Sequence, residues 1–135
     1  MKKFLLLTTL LLVALAASAQ TYYKPRQSSN KAAIQVVQVE RTANSTIVTL
    51  KYTAPNEKYV SQIVAYPTLT DDATGKKFKA TDAMNFQWNT RYKGNVTYVI
   101  KFPALPKTTT SVTFKEADRE ENPFIIKNIA LPTRN

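Results

Sequence analysis

Cysteine and histidine are both missing from the 135 residues of this sequence, which also contains only two glycines and one tryptophan. The lack of cysteine excludes disulfide staples, thiolate nucleophiles and cysteine-based zinc sites. The lack of histidine removes the usual Ser/His and Cys/His pairs and every imidazole metal ligand. The expectation is a protein that is not an enzyme and that holds no metal and no cofactor. Acidic residues are also scarce, with 9 Asp plus Glu against 19 Lys plus Arg and a formal net charge of +10.

Residues 1–19 have the three parts of a secretory signal peptide. Lys2 and Lys3 form a basic start, Phe4 to Ala16 is an apolar stretch interrupted by Thr8 and Thr9, and Ala17-Ser18-Ala19 is a small-residue cleavage site before Gln20. That stretch is shorter than the roughly 20 apolar residues of a spanning helix, and nothing after Gln20 is apolar for long enough to supply one. No cysteine follows the cleavage site to accept a lipid anchor. The expected location is therefore the periplasm or the medium of a bacterium, without a transmembrane segment after cleavage. Removal of Lys2 and Lys3 leaves a formal +8 on residues 20–135. That length suits one ordinary domain able to fold on its core alone.

Residues 20–31, QTYYKPRQSSNK, show no apolar period and read as a flexible basic leader. The β-sandwich domain is expected over 32–135, where period two dominates. In Asn95 to Phe102, Val96, Tyr98, Ile100 and Phe102 fall on one face and Thr97, Val99 and Lys101 on the other. Thr46 to Thr53 repeats the pattern with Val48, Leu50 and Tyr52 inward. Further strands are expected at Ala33 to Arg41, Tyr59 to Tyr66, Lys76 to Ala80, Met84 to Trp88, Ser111 to Lys115 and Phe124 to Leu131. Both glycines lie in segments that read as hairpin turns, Asp71 to Gly75 and Lys93 to Asn95. Some seven to eight strands separated by turns point to an all-β chain forming a single antiparallel sandwich.

Three stretches add a resemblance. FPALPKTTTSVTFKE (Phe102 to Glu116), PFIIKNIAL (Pro123 to Leu131) and LTDDATGKKFKA (Leu69 to Ala80) are similar to small exported immunoglobulin-like β-sandwich domains of Bacteroidota. The likeness runs from about Ile34 to Leu131. In those domains the last strand often begins with Trp, where this chain has Phe124. Most members have no assigned function, so the resemblance implies architecture and export and contributes no site residues.

Candidate chemistry is sparse. Asp71, Asp72 and Asp82 do not follow the alternating oxygen ligands of an EF-hand and are followed by Lys76, Lys77 and Lys79, which reads as a turn with side-chain capping rather than a calcium site. The acidic group Glu116, Asp118, Glu120 and Glu121 offers paired carboxylates, the minimum for a small glycan-active hydrolase, but reads first as a solvated loop. Lys76, Lys77 and Lys79, together with Lys51, Lys101, Lys115 and Lys127, would make a Thr/Lys-rich basic face for an anionic glycan or nucleic acid if their strands are neighbours. Nucleic acid is the less expected polymer, because no RNP-like aromatic motif or phosphate loop accompanies the charge. Trp88, Arg91 and Tyr92 have the composition of a binding hot spot, although the lone Trp also suits the core of an immunoglobulin-like sandwich. The sequence reading is an exported, non-enzymatic module of the bacterial cell envelope with a binding or structural role. Its candidate contact residues are Lys76, Lys77, Lys79, Trp88, Arg91 and Tyr92, and an envelope glycan or protein is the expected partner.

Overall fold

The computed structural model describes residues 19–117 and 123–132. These residues form twelve strands and no helix, and all strand pairings are antiparallel. Eight strands have three or more residues: β1 (Gln20–Tyr23), β3 (Ile34–Arg41), β4 (Ser45–Tyr52), β6 (Thr68–Asp71), β7 (Lys77–Lys79), β10 (Val96–Pro103), β11 (Ser111–Lys115) and β12 (Ile125–Ala130). The remaining four are two residues long: β2 (Ser28–Ser29), β5 (Val60–Ser61), β8 (Asp82–Ala83) and β9 (Tyr92–Lys93). The first five-stranded sheet has the order β1-β3-β4-β10-β8, the second has the order β2-β12-β11-β6-β7, and β5 pairs with β9.

The alternation in the sequence determines which side chains meet between the sheets. Val48, Leu50, Ile100 and Phe102 face inward from the first sheet, while Leu69, Val112, Phe114 and Ile126 face inward from the second. Phe102 meets Phe114 edge to face at 6.0 Å, and Phe114 stacks on Phe124 at 5.4 Å. Each large buried side chain contributes on the order of 1.5–3 kcal/mol of burial, which lets the chain fold without staples. Among the described residues, no helix is long and apolar enough to cross a membrane.

Two bulges explain where strict alternation fails. Opposite β4, Val36 pairs with Leu50 and Gln38 with Thr49, so Val37 is an extra residue and the buried set shifts from Ile34 and Val36 to Val39 and Arg41. On β12 the extra residue lies between Ile126 and Ile129, where Asn128 takes φ 55° and leaves Lys127 exposed. Asn is one of the few residues that adopts this left-handed conformation readily.

Three expectations need correction. Residues 20–31 are not a flexible leader: β1 pairs with β3 in the first sheet, β2 pairs with β12 in the second, and Tyr22 is buried. Between them the Gln27 carboxamide imitates a strand, its Nε2 donating to Val36 O at 2.7 Å and its Oε1 accepting from Val36 N at 2.6 Å. The runs Tyr59–Tyr66 and Met84–Trp88 are not strands of that length. Only Val60–Ser61 pairs in the first, and Tyr66 at its end turns to φ 63°. In the second, only the preceding Asp82–Ala83 pairs, and the Asn85 side chain replaces the ladder. Finally, Lys93 to Asn95 is not a hairpin, since β9 pairs with β5 and β10 with β4 and β8. The Leu69–Ala80 hairpin does form, with Thr68, Leu69 and Thr70 opposite Lys79, Phe78 and Lys77, and Gly75 closes it at φ 77°.

Candidate functional site

The loops 59–66 and 84–93 carry a ladder of aromatic rings from the core to the surface. Tyr98 is fully buried on β10 because its alternation points it inward, and Phe86 meets it edge to face at 4.8 Å. Trp88 meets Phe86 edge to face at 5.2 Å, and Tyr66 follows at 5.8 Å, tilted and 46% exposed. The Lys79 ammonium lies 5.3 Å from the Tyr66 ring centre, a cation–π contact that ends the ladder. Asn89 holds the two loops together: its N–H donates to Ile63 O at 2.9 Å and its Oδ1 accepts from Ala65 N at 3.2 Å. Tyr66 is thereby kept at a positive φ that a bulky side chain rarely adopts, and such strain concentrates at binding sites.

The second component is the outer face of the second sheet. Lys77 and Lys79 alternate with buried Phe78 and so point outward together. The register places Lys79 beside Thr68, Thr68 beside Lys115 and Lys115 beside Ile125, while Lys77 lies beside Thr70 and Thr70 beside Thr113. Lys127 is exposed at the bulge of β12, opposite Ser28. Lys51 and Lys101 are on the outer side of the first sheet, in the other layer.

The predicted contact residues are thus divided. Lys79 and Trp88 are joined through Tyr66. Tyr92 flanks the inner end of the ladder at 6.1 Å from Tyr98, and its hydroxyl accepts from Gln87 N at 2.9 Å. Lys77 shares the outer face with Lys79, Lys76 lies over the Phe78 ring at 5.3 Å, and Arg91 is exposed. Trp88 is half-buried and packs on the core, so it supports the site more than it presents it. Sequence reasoning missed Tyr66, which ends an apparent strand just before Pro67 and carries no motif.

The carboxylates have other tasks. Asp71 Oδ1 accepts from Ala73 N at 2.9 Å and its Oδ2 from the Thr109 hydroxyl at 2.7 Å. The Thr109 bond, with the backbone N–H of Ala73, holds the Asp71 carboxyl below the ordinary carboxylate range against the opposing effect of burial. Arg41, buried on β3, donates to Thr109 O at 2.8 Å and Pro106 O at 2.6 Å. One loop is thus fastened to both sheets. Asp72 accepts the hydroxyls of Ser111 and Thr113, and among the described residues no three acidic side chains stand together for a metal ion.

The expectation of a solvated acidic loop fails at Glu116. It is 5% exposed and accepts Phe124 N at 3.1 Å, lining a cleft of about 340 Å³ with Tyr52, Val60, Ser61 and Phe124. Asp118, Glu120 and Glu121 lie outside the described residues. Burial pushes the Tyr98 phenol up, opposed by its hydrogen bond with the Ser61 hydroxyl. Comparison of the chain with family models, curated proteins and solved structures finds no match.

Proposed function

We propose that this chain is an exported, non-enzymatic module of the bacterial cell envelope, an immunoglobulin-like β-sandwich that binds a partner where Tyr66 and Lys79 meet. The observation that carries this reading is the convergence at Lys79 of an aromatic ladder rooted in the core with the lysine-bearing face of the second sheet. Aromatic and cationic side chains presented on a rigid scaffold are the usual anchors of recognition. The signal-like residues 1–19 support export. Support for the immunoglobulin-like architecture comes from a first segment that passes from one sheet to the other through β1 and β2. Glu116, whose carboxylate accepts the backbone N–H of Phe124 just before β12, is better suited to fastening the start of that strand than to acid–base catalysis.

The test is expression with residues 1–19 intact in a bacterial host. The expected product is a periplasmic or secreted chain beginning at Gln20, read by mass, which binds at least one of a panel of neutral and acidic envelope glycans and loses that binding on Tyr66→Ala. Retention of residues 1–19 would overturn export. Failure to bind any glycan, or binding indifferent to both Tyr66→Ala and Lys79→Gln, would overturn the site.

A further inference from the structure

The outer face of the second sheet is lysine-bearing and hydroxyl-rich, and its register selects among partners. Adjacent strands lie about 4.8 Å apart, so Lys79 and Lys115, separated by β6, stand about 10 Å apart in one row, while Lys77 and Lys79 are about 7 Å apart along β7. Thr68 fills the position between Lys79 and Lys115, and Thr70 lies between Lys77 and Thr113. The Asp72 carboxylate also reaches this face, where it takes two hydroxyls, and among the described residues Lys77, Lys79 and Lys127 stand exposed there. A single anion would satisfy one or two of these ammoniums. A chain carrying anionic groups at regular intervals would engage Lys77 and Lys79 together and continue along the face.

Tyr66 decides between the kinds of anionic chain. It is the tilted, half-exposed outer ring of the ladder, at one end of the row next to Lys79. Single-stranded nucleic acid is usually held by several aromatic platforms on which successive bases stack, and here Phe78 is buried under Lys76 while Trp88 is half-buried. A sugar ring needs only one aromatic face at a time, with hydroxyl donors and acceptors around it, which Thr68 and Thr70 supply. Resting on the site proposed above, we propose that the ligand is an acidic polysaccharide. Its carboxylate or sulfate groups pair with Lys77 and Lys79 along the outer face of the second sheet, and one sugar packs against Tyr66.

Binding of the mature chain to polygalacturonate and to heparin tests this, with neutral dextran and a single-stranded oligonucleotide as further arms. Binding to at least one of the two acidic polysaccharides is expected, weakening steadily as salt rises. Lys77→Gln with Lys79→Gln should weaken it about tenfold and reduce the slope of log Kd against log salt by about two. Tyr66→Ala should weaken it with the salt slope unchanged. Lys51→Gln with Lys101→Gln, on the opposite layer and beyond the screening length of about 8 Å, should leave it within about twofold.

Tyr66-dependent binding to dextran as strong as to the acidic polymers would overturn the acidic ligand and keep the site. Tighter, lysine-dependent binding to the oligonucleotide would do the same in favour of nucleic acid. Equal losses in the two double-lysine variants would overturn the placement on this face, and binding to no probe would overturn the inference. Circular dichroism of each variant matching the unmodified chain shows that a lost affinity is not a lost fold.

Discussion

The β3–β4–β10 ladder and the loops 59–66 and 84–93 achieve order by different means. In the ladder, β10 pairs with β4 over eight consecutive residues and the backbone satisfies itself, with Tyr98, Ile100 and Phe102 locked inward by the pleat. In the loops only β5 and β9 pair, for two residues, and side chains share the remaining hydrogen bonding with isolated backbone bonds. Asn85 Nδ2 donates to Thr97 O at 2.9 Å and its Oδ1 accepts from Val99 N at 2.8 Å, clipping the edge of β10 beyond β8. Asn89 joins the two loops with its backbone N–H donating to Ile63 O and its Oδ1 accepting from Ala65 N. A region held by carboxamides and ring contacts can place an exposed tyrosine at an unfavourable φ. A region held by a continuous ladder cannot.

The contrast predicts unequal costs. Phe102→Ala, in the middle of the core, should cost about 3–5 kcal/mol of unfolding free energy. Asn85→Ala should cost about 1–2 kcal/mol, since Val99 N and Thr97 O lose their partner near the surface, where water can replace part of it. Urea denaturation of both variants measures the difference. If Asn85→Ala cost as much as Phe102→Ala, the loops would be part of the same cooperative core, and the distinction drawn between the two regions would be lost.

The same division decides what could be read from the sequence. β4, β10 and β11 were legible within a residue or so because one buried face imposes alternation, and the Leu69–Ala80 hairpin because a Gly at positive φ closes it. β1 and β2 were not, because four- and two-residue strands at sheet edges bury too little to leave a period; only Tyr22 of QTYY is buried. At the site, the lysines of β7 were legible as a group, and their strand-neighbour relation to Lys115 was not, since register across β6 is a tertiary fact. Tyr66 and the carboxamides Gln27, Asn85 and Asn89 left no signal, because a side chain that imitates a strand has no spacing of its own.

Acid sensitivity probes the link between the two sheets, which passes from Arg41 through the 106–109 loop to Asp71. The Asp71 carboxyl is lowered in the folded chain, so the unfolded chain takes up its proton first as pH falls. Its contribution is complete above the ordinary carboxylate value and is lost as pH drops from there through the lower folded value. Thr109→Val removes the largest cause of the lowering. Urea midpoints measured from neutral pH down to about pH 3 should therefore fall less steeply for Thr109→Val than for the unmodified chain. Parallel curves would show that the Asp71–Thr109 bond does not link titration to folding.

The smallest effect is the most specific to the loops. Tyr66→Ala and Tyr66→Gly both remove the ring next to Trp88 and Lys79, so both should lose binding equally. Only the glycine variant relieves the backbone at φ 63°, a conformation that costs other residues about 1 kcal/mol. Glycine also loses more entropy on folding, which offsets part of that gain. Tyr66→Gly should accordingly be more stable than Tyr66→Ala by a few tenths to about 1 kcal/mol, read as a higher urea midpoint at unchanged slope. An alanine variant as stable as the glycine variant would mean that the loop relaxes once the ring is gone. The strain would then belong to the packing of Tyr66 against Trp88 rather than to the backbone path set by Asn89.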